Sequence, residues 1–153
     1  MLKTTVIATA VIVAAIATQV APEDALQQPA AVVREFYDAY RALDTDRLLS
    51  LLSPAITFED PTMRLRAEGR DQMRKMADGV RTSYRNLAID VHSTIVSGND
   101  VAAEVTISGT MIRPDGTTRT IRVRGASFFH VRNGLIEKWT DYFDARTFTE
   151  QTK

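Results

Sequence analysis

In NGLIEKWTDYFDARTF, residues 133–148, an Asn-Gly turn leads into a run that alternates in character from Leu135 onward. Successive side chains of a strand point to opposite faces, so Trp139, Asp141 and Phe143 share one face and Thr140, Tyr142 and Asp144 the other. A carboxyl set between two rings on an inward face loses its water, which raises its pKa and suits it to proton transfer near neutral pH. The competing reading of Asp141 is structural, as one half of a buried ion pair or an acid at an open rim.

The same period of two runs upstream from this segment. It predicts strands over about 87–97, 100–112, 118–131 and 135–146. Ser97-Gly98-Asn99-Asp100, Pro114-Asp115-Gly116 and Arg132-Asn133-Gly134 separate them, and each is a good hairpin turn. Arg122 and Arg124 alternate with Val123 and Gly125 and are expected on the outer face. Val105, Ile107 and Phe128 are read as sharing that face, an apolar patch that a second copy would cover. A homodimer is therefore expected.

Before residue 87 the period is 3.6. Val33, Phe36, Tyr37 and Tyr40 form one apolar stripe, which predicts a helix over Ala30–Leu43. Asp44–Ser53, with Leu48, Leu49, Leu51 and Leu52, reads as a second helix closed by Pro54. Ile56–Asp60 alternates as a strand, with Ile56, Phe58 and Asp60 on one face. Thr62–Gly69 reads as a loop. A third helix follows over about Arg70–Arg81, with Met73, Met76, Ala77 and Val80 inside. Helices first and an antiparallel meander second make an α+β fold. A strongly curved, mostly antiparallel sheet wrapped around the N-terminal helices leaves a cone open at one end, a natural small-molecule site.

Composition narrows the function. The chain has 153 residues, which fits one domain, placed at 30–148 with a tail over 149–153. Lys plus Arg and Asp plus Glu are both 19, so no basic face for nucleic acid is expected. With no cysteine, disulfides and thiolate chemistry are excluded. His92 and His130 lie too far apart in sequence for a local metal pair, so no metal and no cofactor are expected. Residues 1–17 carry Lys3 and an apolar run over Val6–Ile16, ending in Ala15-Ile16-Ala17, the pattern of a signal peptide cleaved after Ala17. Residues 18–29 read as a tether. The mature protein is expected to be exported, periplasmic or secreted; the alternative is an uncleaved membrane anchor.

Three stretches carry a resemblance to a known family. They are VVREFYDAYRALDTDRLLSLLSPAITFEDP at 32–61, EGRDQM at 68–73, and the closing segment at 133–148. In order and motif they resemble the nuclear-transport-factor-2-like superfamily, SnoaL-like branch, over about residues 30–148. The closing strand is similar to that of polyketide cyclases and limonene epoxide hydrolases, and the resemblance makes Asp141 a general acid or base. The Glu59-Asp60-Pro61 stretch is similar to ketosteroid isomerase, and there the resemblance makes Asp60 the proton-shuttling base. The oxyanion partners of ketosteroid isomerase fall on Phe36 and Ser127. The Arg and Asp of the epoxide hydrolases fall on Thr106 and Ser108.

The candidate site follows from these readings. Asp141 is the first candidate for proton transfer and Asp60 the second, although Asp-Pro equally suits a residue that only organises a turn. If both face one cavity, mutual repulsion keeps one protonated and gives an acid and a base from like groups. Trp139, Phe36, Phe58 and Phe143 are expected to wall the pocket, Tyr37 and Tyr40 to donate to a ligand oxygen or else to pack as core with the hydroxyl at the rim, and Thr106, Ser108 and Ser127 to add weak polar contacts. Met73 and Met76 read as deformable lining or plain core. Two functions compete: a cofactor-independent isomerase, cyclase or hydrolase acting on a small lipophilic molecule, and an exported protein that binds such a molecule without altering it.

Overall fold

The structure, a computed structural model, describes residues 23–153, with side chains from Gln28 onward. The signal-peptide reading of residues 1–17 and the first part of the 18–29 tether lie outside the described residues. The elements run α1 (Glu23–Arg41), α2 (Thr45–Ser50), β1 (Leu52–Asp60), β2 (Leu65–Glu68), α3 (Gly69–Ser83), β3 (Tyr84–Ser97), β4 (Asp100–Ile112), β5 (Thr118–Arg132), β6 (Leu135–Phe143) and α4 (Ala145–Thr152).

Six strands form one sheet in the order β2-β1-β6-β5-β4-β3. Only β1 and β6 pair in parallel; every other neighbour is antiparallel. The sheet curves around α1, which packs against β3, β4, β5 and β6. The α+β class and the curved, mostly antiparallel sheet match the expectation from the sequence.

The stripe that predicts α1 is the stripe that it buries. Val33, Phe36 and Tyr37 lie in the core with Leu48, Leu52, Ile56, Phe129, Ile136 and Trp139 behind them. The helix begins at Glu23 rather than Ala30, because Ala25, Leu26, Gln27 and Gln28 are good helix formers. At its far end the Arg41 guanidinium donates to Ile89 O at 2.8 Å, tying the helix to β3.

Further boundaries differ from the sequence reading, among them the start of β1, which takes in the Pro54 read as closing the second helix. The second helix stops at Ser50, and Leu52 already pairs with Ile136 of β6. The loop after Pro61 contains β2, a strand of four residues too short to show alternation; it pairs back on β1 from Thr57↔Glu68 to Asp60↔Leu65. Strand β6 ends at Phe143, not at 146, because Asp144 caps a new helix: its carboxylate accepts Thr147 N–H at 3.0 Å and the Thr147 hydroxyl at 2.7 Å. The residues read as a tail are therefore mostly helix α4. Its Gln151 accepts Arg122 N–H at 2.8 Å and donates to Arg122 O at 3.2 Å, covering a part of β5 that β6 does not reach.

The outer-face patch needs correcting as well. Val105 is fully buried and Ile107 packs against the core, so both point inward with Val101 and Ala103. The outward residues of β4 are Ala102, Glu104, Thr106 and Ser108. Thr106 is hidden there because His92, at a register shift in β3, meets its hydroxyl at 2.7 Å. Arg122 and Arg124 are on the outer face as expected, beside Asp90 and Glu104. Phe128 is also outside, but its apolar neighbours are Ile95 and Tyr142.

Candidate active site

Strand β6 sets Asp141 in place by simple alternation. Trp139, Asp141 and Phe143 point into the hollow of the sheet, where the cross-strand partners of the first two are Phe129 and Ser127. Asp141 is only 5 % exposed. Its Oδ1 accepts two hydrogen bonds, from the Ser127 hydroxyl at 2.6 Å and from Trp139 Nε1–H at 2.6 Å. Both donors hold the same oxygen, so the other oxygen, Oδ2, is the one left for a ligand or a proton.

Burial is the dominant influence on this acid. Desolvation lifts its pKa to about 7; the two donors, which favour the ionised form, offset part of that, and the Asp60 charge adds a smaller upward push. The result is a carboxyl that exchanges its proton near neutral pH without any cationic partner.

Asp60 enters from the end of β1, two positions after Phe58 and on the same face. Burial raises its pKa too, while the backbone N–H groups of Met63 and Thr62 pull it back down. Met63 N–H donates to Asp60 Oδ1 at 2.9 Å, closing the turn in which Arg64 takes a left-handed conformation. Asp60 thus organises its turn and faces the cavity at once; the two readings of Asp-Pro are compatible.

Around the acids lies a cage of rings. Trp139 packs on Phe58 with centroids 4.3 Å apart, on Phe36 at 4.8 Å and on Tyr40 at 6.0 Å. Tyr40 feels the charges of both Asp141 and Asp60, and burial holds its phenol protonated. Phe143 completes this wall, seated opposite Gly125 of β5. Together these side chains enclose a cavity of about 180 Å³ whose lining is predominantly apolar.

All eight candidate residues, Asp141, Asp60, Trp139, Phe36, Tyr40, Phe58, Phe143 and Ser127, line this one cavity. Met76 lines it as well, whereas Met73 is sealed in the core. Thr106 and Ser108 do not line it. Those two positions were carried over from the epoxide hydrolases; the inward residues beside them are Val105 and Ile107, which supply no polar group. Sequence reasoning missed the far wall, made by Tyr84, Leu87, Ile121, Val123 and Phe148. Only Phe148, inside the family-like closing segment, gave a signal. Tyr37, read from the sequence with Tyr40 as either a donor to a ligand oxygen or core, borders the cavity beside Ser127.

A small α+β cone with a desolvated acid at the base of an aromatic hollow is the class that this fold and site define. The chain belongs to the SnoaL-like domain family, whose sequence pattern matches residues 33–139. Among solved structures it is similar to a Xanthomonas campestris pv. campestris protein designated a polyketide cyclase, at 25% identity and a TM-score of 0.72, covering 84% of this chain and 98% of that one. It shares its fold with an epoxide hydrolase of M. tuberculosis resembling limonene epoxide hydrolase, at 20% identity and a TM-score of 0.71, covering 83% and 91%. The same holds for a protein of ketosteroid isomerase-like fold from Catenulispora acidiphila, in complex with trimethylamine, at 18% identity and a TM-score of 0.69, covering 78% and 90%. No curated protein matches the chain.

Proposed function

We propose that the protein is a cofactor-independent acid–base enzyme acting on a small lipophilic molecule held in the apolar cavity. The observation that carries this reading is the state of Asp141. It is buried among rings, with no cation beside it, one oxygen tied by two donors and the other left toward the cavity. Below about pH 7 its neutral form presents an O–H from Oδ2, a general acid; above that its carboxylate is a general base. Asp60 assists, since two acids that repel one another settle into one protonated and one ionised partner. The rings hold the substrate by burial rather than by charge, which leaves proton transfer to the acids.

Native mass spectrometry of the protein from its own source identifies what occupies the cavity. Turnover of that compound should fall at least about a hundredfold in Asp141→Asn, with the fold intact, the loss typical for removing a general acid or base. An unchanged rate discards the assignment. A second reading, exported binding without chemistry, is favoured by the small number of polar groups in the lining. It predicts a compound that co-purifies unchanged and whose affinity ignores Asp141→Asn. Export itself is proposed from residues 1–17; an intact mass beginning at Thr18 supports it, and a mass retaining Met1 removes it.

A further inference from the structure

Tyr37 carries a hydroxyl that the fold leaves without use. The residue is 4 % exposed, and its oxygen is the one fully buried side-chain polar atom without a hydrogen-bond partner among the described residues. It approaches Ser127, whose own proton goes to Asp141, but it is not placed to donate to the Ser127 oxygen with acceptable hydrogen-bond geometry. Nor is the ring free to swing toward another partner. Phe36 packs edge-on at 5.6 Å and Phe129 at 5.7 Å.

A buried donor left unsatisfied carries a desolvation penalty that a folded protein normally avoids. Here the hydroxyl borders the cavity, next to the Ser127–Asp141 pair, so a ligand atom is the natural partner. Burial keeps the phenol protonated, so its O–H is a donor that calls for an acceptor. The cavity, about 180 Å³, is a little larger than the engineered cavity of about 150 Å³ that takes benzene. It suits a molecule of one or two rings, and only one end of anything larger.

We infer that Tyr37 receives the acceptor oxygen of the substrate, and that the substrate is a lipophile of one or two rings whose single carbonyl or ether oxygen sits beside a carbon facing Asp141. This inference rests on the acid–base reading for the orientation toward Asp141 and stands on its own for the oxygen. It separates Tyr37 from its neighbour Phe36, which occupies the matching position of the ketosteroid isomerases but has nothing to donate. Tyr37 is then a specificity residue: it selects oxygenated lipophiles over hydrocarbons of equal shape.

A matched pair of probes tests this. 1-Tetralone and tetralin share a bicyclic frame and differ by the carbonyl. Their dissociation constants are measured by NMR titration on the wild type and on Tyr37→Phe. Because the hydrocarbon partitions more readily out of water, the quantity to compare is the tetralone-to-tetralin affinity ratio. The ratio should drop about fivefold in Tyr37→Phe, the worth of one net hydrogen bond. Without ligand, Tyr37→Phe should melt at or above the wild-type temperature, since it deletes an unsatisfied hydroxyl; a structural hydroxyl would give a lower one. An equal ratio in both proteins overturns the inference, and so does the failure of both probes to bind. Deuterium uptake next to the tetralone carbonyl in heavy water, compared between wild type and Asp141→Asn, reports separately on the acid–base reading. Its absence leaves the affinity ratio to stand or fall alone.

Discussion

The indole N–H of Trp139 donates to the carboxylate of Asp141 from only two residues away, at 2.6 Å, along one face of one strand. The wall of the hollow is thus also the group that steadies its acid, since a donor to a carboxylate favours the ionised form. Burial nevertheless outweighs the indole and the Ser127 hydroxyl together, and Asp141 titrates near 7. The site is tuned by a contest between lost water and two short hydrogen bonds, with no metal or base required to explain it.

That contest has a cost in stability. The folded-state pKa of Asp141, about 7, stands above the ordinary value of 3.8. Between those values the folded protein binds a proton that the unfolded chain releases, so this residue lowers stability as pH rises, and the loss is complete above about pH 7. The full loss is on the order of 4 kcal/mol. Asp141→Asn keeps an oxygen for both donors and carries no charge. It should match the wild type in urea unfolding at about pH 4 and exceed it at about pH 8 by an amount of that order. A difference that does not change with pH would remove desolvation as the cause.

Two substitutions should move the Asp141 titration in opposite directions. Asp60→Asn removes a like charge and should lower its midpoint; Trp139→Phe removes a donor to the ionised form and should raise it. Carboxyl carbon NMR of Asp141 across pH reads both, and a break in the rate profile should follow the same shifts. Movement in the same direction for both variants would contradict the electrostatic account.

The inward row of β6 was legible because period two and large residues coincide there: Trp139, Asp141 and Phe143 could share only one face. Helix α1 was legible for the same reason at period 3.6. What α1 could not disclose is the fate of the Tyr37 hydroxyl, because a stripe position says that a ring is buried and nothing about what its oxygen meets. On β4 the error came from carrying family positions onto Thr106 and Ser108. A slip of one residue turns every side chain to the other face, which sent Val105 and Ile107 outward on paper. The plain pattern of Val and Ile inside with Thr and Ser outside would have placed them correctly. Strand β2 and helix α4 were missed because one is four residues long and the other starts from a cap, Asp144, that also continues the alternation of β6.

Gly125 is a further constraint that alternation alone does not reveal. A Cβ there would lie far inside van der Waals contact with the edge of the Phe143 ring and 2.5 Å from the Tyr142 carbonyl oxygen, and the backbone atom cannot step aside. Gly125→Ala should therefore cost about 1–3 kcal/mol and displace Phe143 from the cavity wall. Gly79 of α3 is the natural control, because an added Cβ there meets nothing within 4 Å. Gly79→Ala should leave the site alone and raise stability by up to about 1 kcal/mol through helix propensity. Thermal melts of the two variants should move in opposite directions; equal shifts would mean that the Phe143 contact is relieved elsewhere.

The outer face of the sheet bears on assembly. Ile95 is 70 % exposed, and Phe128 and Tyr142 are half exposed, their rings packed edge-on with centroids 5.9 Å apart. In register, Ile95, Ala102, Phe128 and Thr140 form one row across four strands. Asp100, His130 and Lys138 bound the patch on one side, and Glu104 with Arg124 on the other, so each end carries both signs. We propose that a second copy of the chain, turned end for end, covers this patch: its apolar row meets its equivalent, and each mixed-charge end meets the opposite end. Phe128→Glu puts a charge at the centre of the row without touching the core. Sedimentation should then show a dimer for the wild type at micromolar concentration and a monomer for the variant, with unchanged tetralone affinity because the cavity lies on the other side of the sheet. A monomeric wild type would leave the exposed row without a second copy to cover it, and the proposal would fall.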